Sequence, residues 1–204
     1  MIRTQVNLQV NGSDHEVWVR NDRTLLDVLH DDLGMPDVRY GCAEGVCGTC
    51  TVLMDGEPVS ACTVYAVQAE GHDVVTLRGW SDPQEEAHPL QKCFLERGAS
   101  QCGFCTAGML LTAVTMAERN PDATREEIRH ELVGNLCRCT GYQAIVDAVE
   151  DYLHLPAGGR TDAEPNPQED SRADVPKSGQ ATAGAAPEPV ADPVSEPALE
   201  RGTA

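Results

Sequence analysis

Val6, Leu8 and Val10 alternate with polar neighbours, Asn11-Gly12 interrupts the run, and Val17 and Val19 resume it. Alternation on both sides of an Asn-Gly pair predicts a β-hairpin. Thr24 stands before Leu25, Val28 and Leu29, which share one face of a helix, and Gly34 and Pro36 end that helix. Thr51 to Met54 reads as a strand with Asp55-Gly56 as its turn, and Val74, Val75 and Leu77 as a last strand. Strands around one helix predict a small α+β unit over residues 1–80.

The period then changes. Pro89 to Arg97 reads as helical with Leu90, Cys93 and Phe94 on one side. Met109 to Glu118 is a strongly apolar helix. Thr124 to Val133 opens on a capping box, Thr124 followed three residues later by Glu127. Gly141 to Leu153 repeats apolar residues at Ile145, Val146, Val149 and Tyr152. Four short helices predict a compact helical unit over 81–155. Residues 156–204 hold eight prolines, ten alanines and no aromatic residue, a composition that buries too little apolar surface to fold. That stretch is expected to be a disordered acidic tail.

Charge narrows the function. Acidic residues number 33 against 15 basic, for a net −18, which argues against nucleic acid and against an anionic membrane surface as partners. Aromatics make up only 4%, so the core must be aliphatic. No apolar run is long enough for a transmembrane helix, and MIRTQVNLQV lacks the apolar segment of a signal peptide. The expected compartment is the cytoplasm. Nine cysteines in such a chain point to metal binding rather than a disulfide scaffold.

Two sets of four carry that chemistry. Cys42, Cys47, Cys50 and Cys62 are spaced C-x4-C-x2-C-x11-C, and the first three match the plant-type [2Fe–2S] spacing. A two-iron cluster with four thiolates is anionic and needs backbone N–H donors around it. Gly41, Gly45 and Gly48 let the backbone come close and adopt positive φ. Cys102 and Cys105, then thirty-one residues, then Cys137 and Cys139 make the second set. Each pair precedes a predicted helix, whose free N–H groups suit an anion. One iron is expected to take each pair. Structural zinc is the competing reading, but C-x-C and C-x4-C-x2-C are atypical of it. Cys93, left over, reads as a small buried hydrophobe. Arg39 and Arg138 lie near the cysteines in sequence and could offset cluster charge or be solvated. Six scattered histidines, no phosphate loop and no catalytic triad leave redox centres without a site for bond-making chemistry.

RYGCAEGVCGTCTVLMDGEPVSAC, QCGFCTAGM and LVGNLCRCTGY resemble the small iron–sulfur subunit of the molybdenum hydroxylases, the xanthine dehydrogenase, aldehyde oxidoreductase and carbon monoxide dehydrogenase family. The resemblance covers about residues 3 to 155. It implies an α+β fold: a ferredoxin-like β-grasp domain (1–80) and a four-helix [2Fe–2S]-binding domain (81–155), followed here by the tail (156–204). Cys42, Cys47, Cys50 and Cys62 would hold one cluster; Cys102, Cys105, Cys137 and Cys139 the other. Gln101 matches the family's contact to the molybdopterin cofactor, and Cys139 would also lie near the pterin. The family usually reads CTPGM where this chain reads CTAGM, with Ala107 for proline.

The expected function is therefore electron transfer within an oxidoreductase. Electrons would pass from molybdopterin on a large subunit through two [2Fe–2S] clusters to FAD on a medium subunit. The expected assembly is a heterotrimer or a dimer of heterotrimers, with no substrate-converting site on this chain. Two other readings use the same cysteines: a free-standing two-cluster ferredoxin and a zinc-binding scaffold. The substrate is not legible, since specificity would lie in the large subunit.

Overall fold

The computed structural model describes residues 3–81 and 87–156, which fall within one compact unit. The first hairpin pairs β1 (Arg3–Val10) with β2 (Ser13–Arg20). Asn11 and Gly12 both have positive φ, 52° and 72°, the paired left-handed turn that matches strand twist. The second hairpin, β3 (Thr51–Met54) and β4 (Glu57–Ser60), turns the same way at Asp55 and Gly56. The return strand β4 has no alternating signal of its own, and Pro58 is tolerated there because β4 is an edge. β5 (Asp73–Val75) lies parallel to β1 and antiparallel to β3, giving the sheet order β2-β1-β5-β3-β4.

Thr24 caps helix α1 (Leu25–Asp27), which widens into a π-type turn through Asp32. The Asp27 N–H donates to the Thr24 hydroxyl and the Thr24 N–H to the Asp27 carboxylate, a reciprocal box. Leu25, Leu26, Val28 and Leu29 are fully buried in one core with Val6, Leu8, Val10 and Val52. Each such side chain contributes about 1.5–3 kcal/mol.

Leu77 is not in the last strand. Asn11 stops β5 at Val75, its amide oxygen accepting from the Thr76 N–H at 2.8 Å and its nitrogen donating to the Thr76 hydroxyl. Leu77 then begins a one-turn helix, α2 (Leu77–Trp80). Beyond it come α3 (Pro89–Glu96), α4 (Thr106–Arg119), α5 (Arg125–Glu131) and α6 (Gln143–Leu153). Their boundaries shift by a few residues from the expected ones. α4 starts at Thr106 rather than Met109, and α6 at Gln143 because Gly141 and Tyr142 are left-handed. Leu90, Phe94, Met109, Ile128, Ile145 and Val149 build the second core. Ala107, buried in the first turn of α4, continues the helix without proline's fixed φ.

α4 packs on β3 and β4, and Arg119 pairs with Glu57 across that contact. Among the described residues no helix is long and apolar enough to cross a membrane. The expected tail, apart from Pro156, lies outside the described residues.

Candidate metal centres

Cys42, Cys47 and Cys50 sit on the loop that leads into β3, and Cys62 on a tight turn, Ala61–Thr63, just after β4. The β3–β4 hairpin thus brings the distant fourth cysteine back to the first three, and the Ala61 N–H donates to the Cys50 carbonyl at 3.2 Å. The loop turns its N–H groups inward to sulfur. Glu44 and Val46 donate to Cys42 Sγ at 3.3 Å, Gly45 to Cys62 Sγ at 3.2 Å, and Cys42 to Cys47 Sγ at 3.3 Å. The two donors on Cys42 pull its thiol down to about 6, whereas burial pushes Cys50 up to about 12.

The expected glycine roles divide. Gly45 and Gly48 take positive φ, 74° and 65°. Gly41 does not; it is needed for space, since a Cβ there would lie 2.5 Å from Cys47 Sγ and 2.4 Å from Thr49 Oγ1. Ala43 is also left-handed, at φ 56°, a position the glycine pattern did not reveal.

In the second set Cys105 caps α4, while Cys137 and Cys139 lie on the loop before α6. The sulfurs meet across the two loops rather than within each. Cys139 Sγ lies 3.6 Å from Cys102 Sγ, and Cys137 Sγ lies 3.1 Å from the Thr140 hydroxyl. Two thiolates on one tetrahedral ion with bonds of about 2.3 Å stand about 3.8 Å apart. The close contact between sulfurs thus joins Cys102 of the first sequence pair to Cys139 of the second. Cys102 and Cys139 are exposed, and Cys105 and Cys137 half-buried. Burial pushes the Cys105 thiol up to about 12. Burial also raises Cys137, but the Thr140 hydroxyl and N–H outweigh it and bring that thiol below its ordinary value. The Phe104 N–H lowers Cys102. Gln101 is exposed beside Cys102.

The two sets are tied to each other. The Leu136 N–H donates to the Cys47 carbonyl at 2.9 Å. Asn135, only 4% exposed, donates its amide to the Gly48 carbonyl at 3.2 Å. Arg39 donates to the Gly103 carbonyl and lies over the Phe104 ring, 5.6 Å from its centroid. Arg39 thus spans from one set to the other, while Arg138 is exposed between Cys137 and Cys139. Asn135 carried no signal in sequence; a lone polar residue in a loop shows its burial only when the facing loop is known. Cys93 is buried in the helical core, 5% exposed, its thiol raised by burial.

An anionic two-iron core fits this donor set. In the first set backbone N–H groups point at the sulfurs and Gly41 leaves room beside Cys47 Sγ; in the second, Cys102 and Cys139 bring their sulfurs together across two loops. Among the described residues no three Cys, His, Asp or Glu side chains converge as the shell of a single ion. Fold and site together define an iron–sulfur protein with two [2Fe–2S] centres.

Comparisons with known proteins agree. Residues 8–75 match the 2Fe-2S iron-sulfur cluster binding domain family, and residues 76–150 the [2Fe-2S] binding domain family. The chain is 46% identical to the nicotinate dehydrogenase small FeS subunit of Eubacterium barkeri over 151 residues, covering 73% of this chain and 94% of that one. It is 46% identical to the nicotine 6-hydroxylase small subunit of Paenarthrobacter nicotinovorans, over 73% and 89% of the two chains. Among solved structures, quinoline 2-oxidoreductase from Pseudomonas putida 86 superposes with a TM-score of 0.70 at 42% identity, over 74% of this chain and 93% of that chain. The aldehyde oxidoreductase of Desulfovibrio desulfuricans gives 0.71 at 39% identity, over 77% of this chain but 18% of that one. The chain belongs to the family of small [2Fe–2S] subunits of the molybdenum hydroxylases, and its role is electron transfer within an oxidoreductase.

Proposed function

We propose that this chain relays electrons from a molybdopterin centre on a large subunit to FAD on a medium subunit. Residues 1–80 form a ferredoxin-like β-grasp domain holding one cluster on Cys42, Cys47, Cys50 and Cys62. Residues 81–155 form a four-helix domain holding the other on Cys102, Cys105, Cys137 and Cys139. One iron of the second cluster takes Cys102 and Cys139, the other Cys105 and Cys137. When bound, each cluster accepts and releases one electron.

The protein's contribution is placement. The N–H groups of Glu44, Gly45 and Val46 offset thiolate charge, and the buried Cys50 and Cys62 keep water from one side of their set. The exposed Gln101, Cys102 and Cys139 form the face for the large subunit, with Gln101 and Cys139 against the pterin. The exposed loop at Glu44 to Val46 forms the face for the flavin subunit. The single observation that carries this reading is that the two thiol sets are hydrogen-bonded to each other, Leu136 to the Cys47 carbonyl and Asn135 to the Gly48 carbonyl.

Substrate conversion belongs to the large subunit, and the assembly is a cytoplasmic heterotrimer or a dimer of heterotrimers. The relatives named for nicotinate, nicotine and quinoline favour a nitrogen heteroaromatic substrate. The test is anaerobic purification with iron and sulfide analysis and dithionite-reduced EPR. About four irons and two distinct S = 1/2 signals, with two larger chains co-purifying, are the expected result. A zinc-loaded chain that cannot be reconstituted with iron and sulfide would overturn it.

A further inference from the structure

Arg39 belongs to the ferredoxin-like half, three residues before Cys42, yet its side chain is held at the other thiol set. Its Nη1 donates to the Gly103 carbonyl, its Nε donates to the Pro36 carbonyl at 3.3 Å, and the guanidinium carbon lies 5.6 Å from the centroid of the Phe104 ring. Its backbone is fixed as well, the carbonyl accepting from the Thr49 hydroxyl at 3.2 Å. Arg39 is half-buried, and among the described residues no carboxylate pairs with it. Arg97, Arg119 and Arg125, by contrast, each face an Asp or Glu. A guanidinium left without a counter-ion brings its full charge to the loop it touches.

The carbonyl it holds belongs to the peptide that joins Gly103 to Phe104, between Cys102 and Cys105. Gly103 is left-handed, at φ 76°, and its carbonyl also accepts from the Thr106 N–H at 3.3 Å, at the start of α4. The Phe104 N–H, at the other end of the same peptide, is the group that holds the Cys102 thiol below its ordinary value. A cation on the peptide oxygen polarises the unit and strengthens the bond made by its N–H.

We propose that Arg39 is a positioning residue for the helical-half centre: through the Gly103 carbonyl it puts a fixed positive charge on the Cys102–Cys105 loop and raises the potential of the cluster held there. The proposal rests on the two-cluster assignment made above. A cluster takes up one electron on reduction and becomes more negative by one charge, so a cation beside its loop favours the reduced state. No covalent bond changes and no proton moves. The potential of the helical half is thus set in part by a residue of the ferredoxin-like half. Arg138 is nearer in sequence, between Cys137 and Cys139, but it is exposed and its charge is weakened by water.

The test is a potentiometric titration, read by EPR, of the full chain loaded with iron and sulfide. If the parent lacks two cluster signals, or Cys102→Ser keeps both, the cluster assignment fails, independently of Arg39. Otherwise the signal lost in Cys102→Ser marks the helical-half centre. At the solution potential that half-reduces this centre in the parent, Arg39→Gln is expected to lower its reduced-to-oxidised ratio about tenfold, the scale of one unit charge at about 12 Å and an effective dielectric constant of about 20. The other signal should move less, Arg39→Lys should stay near the parent, and Arg138→Gln should shift the ratio less than Arg39→Gln. Should the glutamine variant lose iron, Arg39→citrulline, which keeps the N–H donors and the planar shape without the charge, takes its place. An unmoved helical-half potential overturns the proposal. So does an equal or larger shift of the other signal, a lysine variant that falls as far as the glutamine one, or Arg138→Gln matching Arg39→Gln.

Discussion

Gly108, in the first turn of α4, packs directly against the carbonyl oxygen of Gly48, between Cys47 and Cys50: a Cβ at Gly108 would come within 2.1 Å of it. Gly48 is pressed from another side as well, since its own Cβ would meet the Gly134 carbonyl at 2.4 Å. Two backbones, not two side-chain layers, therefore set how closely the helical half approaches the ferredoxin-like half. Gly108→Ala is expected to destabilise by about 1–3 kcal/mol, the usual cost of overpacking a filled contact. Gly134→Ala, with open space around its Cβ position, is the control and should be nearly neutral. Thermal unfolding of the loaded chain measures both, and equal midpoints for the two variants would contradict the close approach.

The ninth cysteine separates thiol chemistry from packing. Cys102→Ser removes a sulfur from an exposed close pair and should lower iron from about four to about two per chain, with loss of one EPR signal. Cys93→Ala removes a buried thiol packed in the helical core beside Phe94 and should leave iron unchanged. Its effect should appear only in stability, at about 1 kcal/mol. Iron analysis of the two purified variants checks this, and retention of both signals in Cys102→Ser would remove that cysteine from the ligand set.

Much of this was legible because the signals are local. Alternation at Val6, Leu8 and Val10, the Asn-Gly turn and the Thr124 capping box need no knowledge of the rest of the chain, and the cysteine spacings name a cluster loop directly. What stayed hidden depends on distant partners. Leu77 continues the apolar rhythm of Val74 and Val75, yet Asn11, sixty-five positions from Thr76, ends the strand before it. The pairing of Cys139 with Cys102 runs against chain order, because two loops that face each other bring their sulfurs together across the gap. Asn135 and Gly108 read as ordinary loop and helix residues until Gly48 lies against them.

Thr49 offers a handle on one centre alone. Its hydroxyl lies 3.2 Å from Cys47 Sγ and 3.2 Å from the Arg39 carbonyl, in space left by the missing Cβ of Gly41. Hydrogen bonds to cluster sulfurs favour the reduced, more negative state and raise the potential. Thr49→Val keeps the shape and deletes the hydroxyl, so the midpoint potential of one EPR signal should fall while the other holds. A potentiometric titration followed by EPR reads both signals in one experiment. No movement in either would mean that the hydroxyl serves the Arg39 carbonyl only.

Arg125 bridges Asp147 and Glu150 and so ties α5 to α6, while Arg97 ties α3 to α6 through Asp151. The guanidinium of Arg125 holds the Asp147 carboxyl below its ordinary range, and Arg97 does the same for Asp151. A carboxyl whose pKa is lower folded than unfolded binds fewer protons when folded. Its contribution to stability is therefore complete above the unfolded value of about 3.9 and fades as pH falls through the folded one. These pairs are partly solvent-exposed, so the effect on total stability is small. The cleaner readout is the carboxyl itself. An NMR titration of Asp147 should give a midpoint below about 3.9 in the parent and one shifted upward in Arg125→Gln, with Asp151 unmoved as the internal control. Coincident Asp147 midpoints in the two proteins would show that the ion pair, though formed in the fold, does not hold the carboxylate in solution.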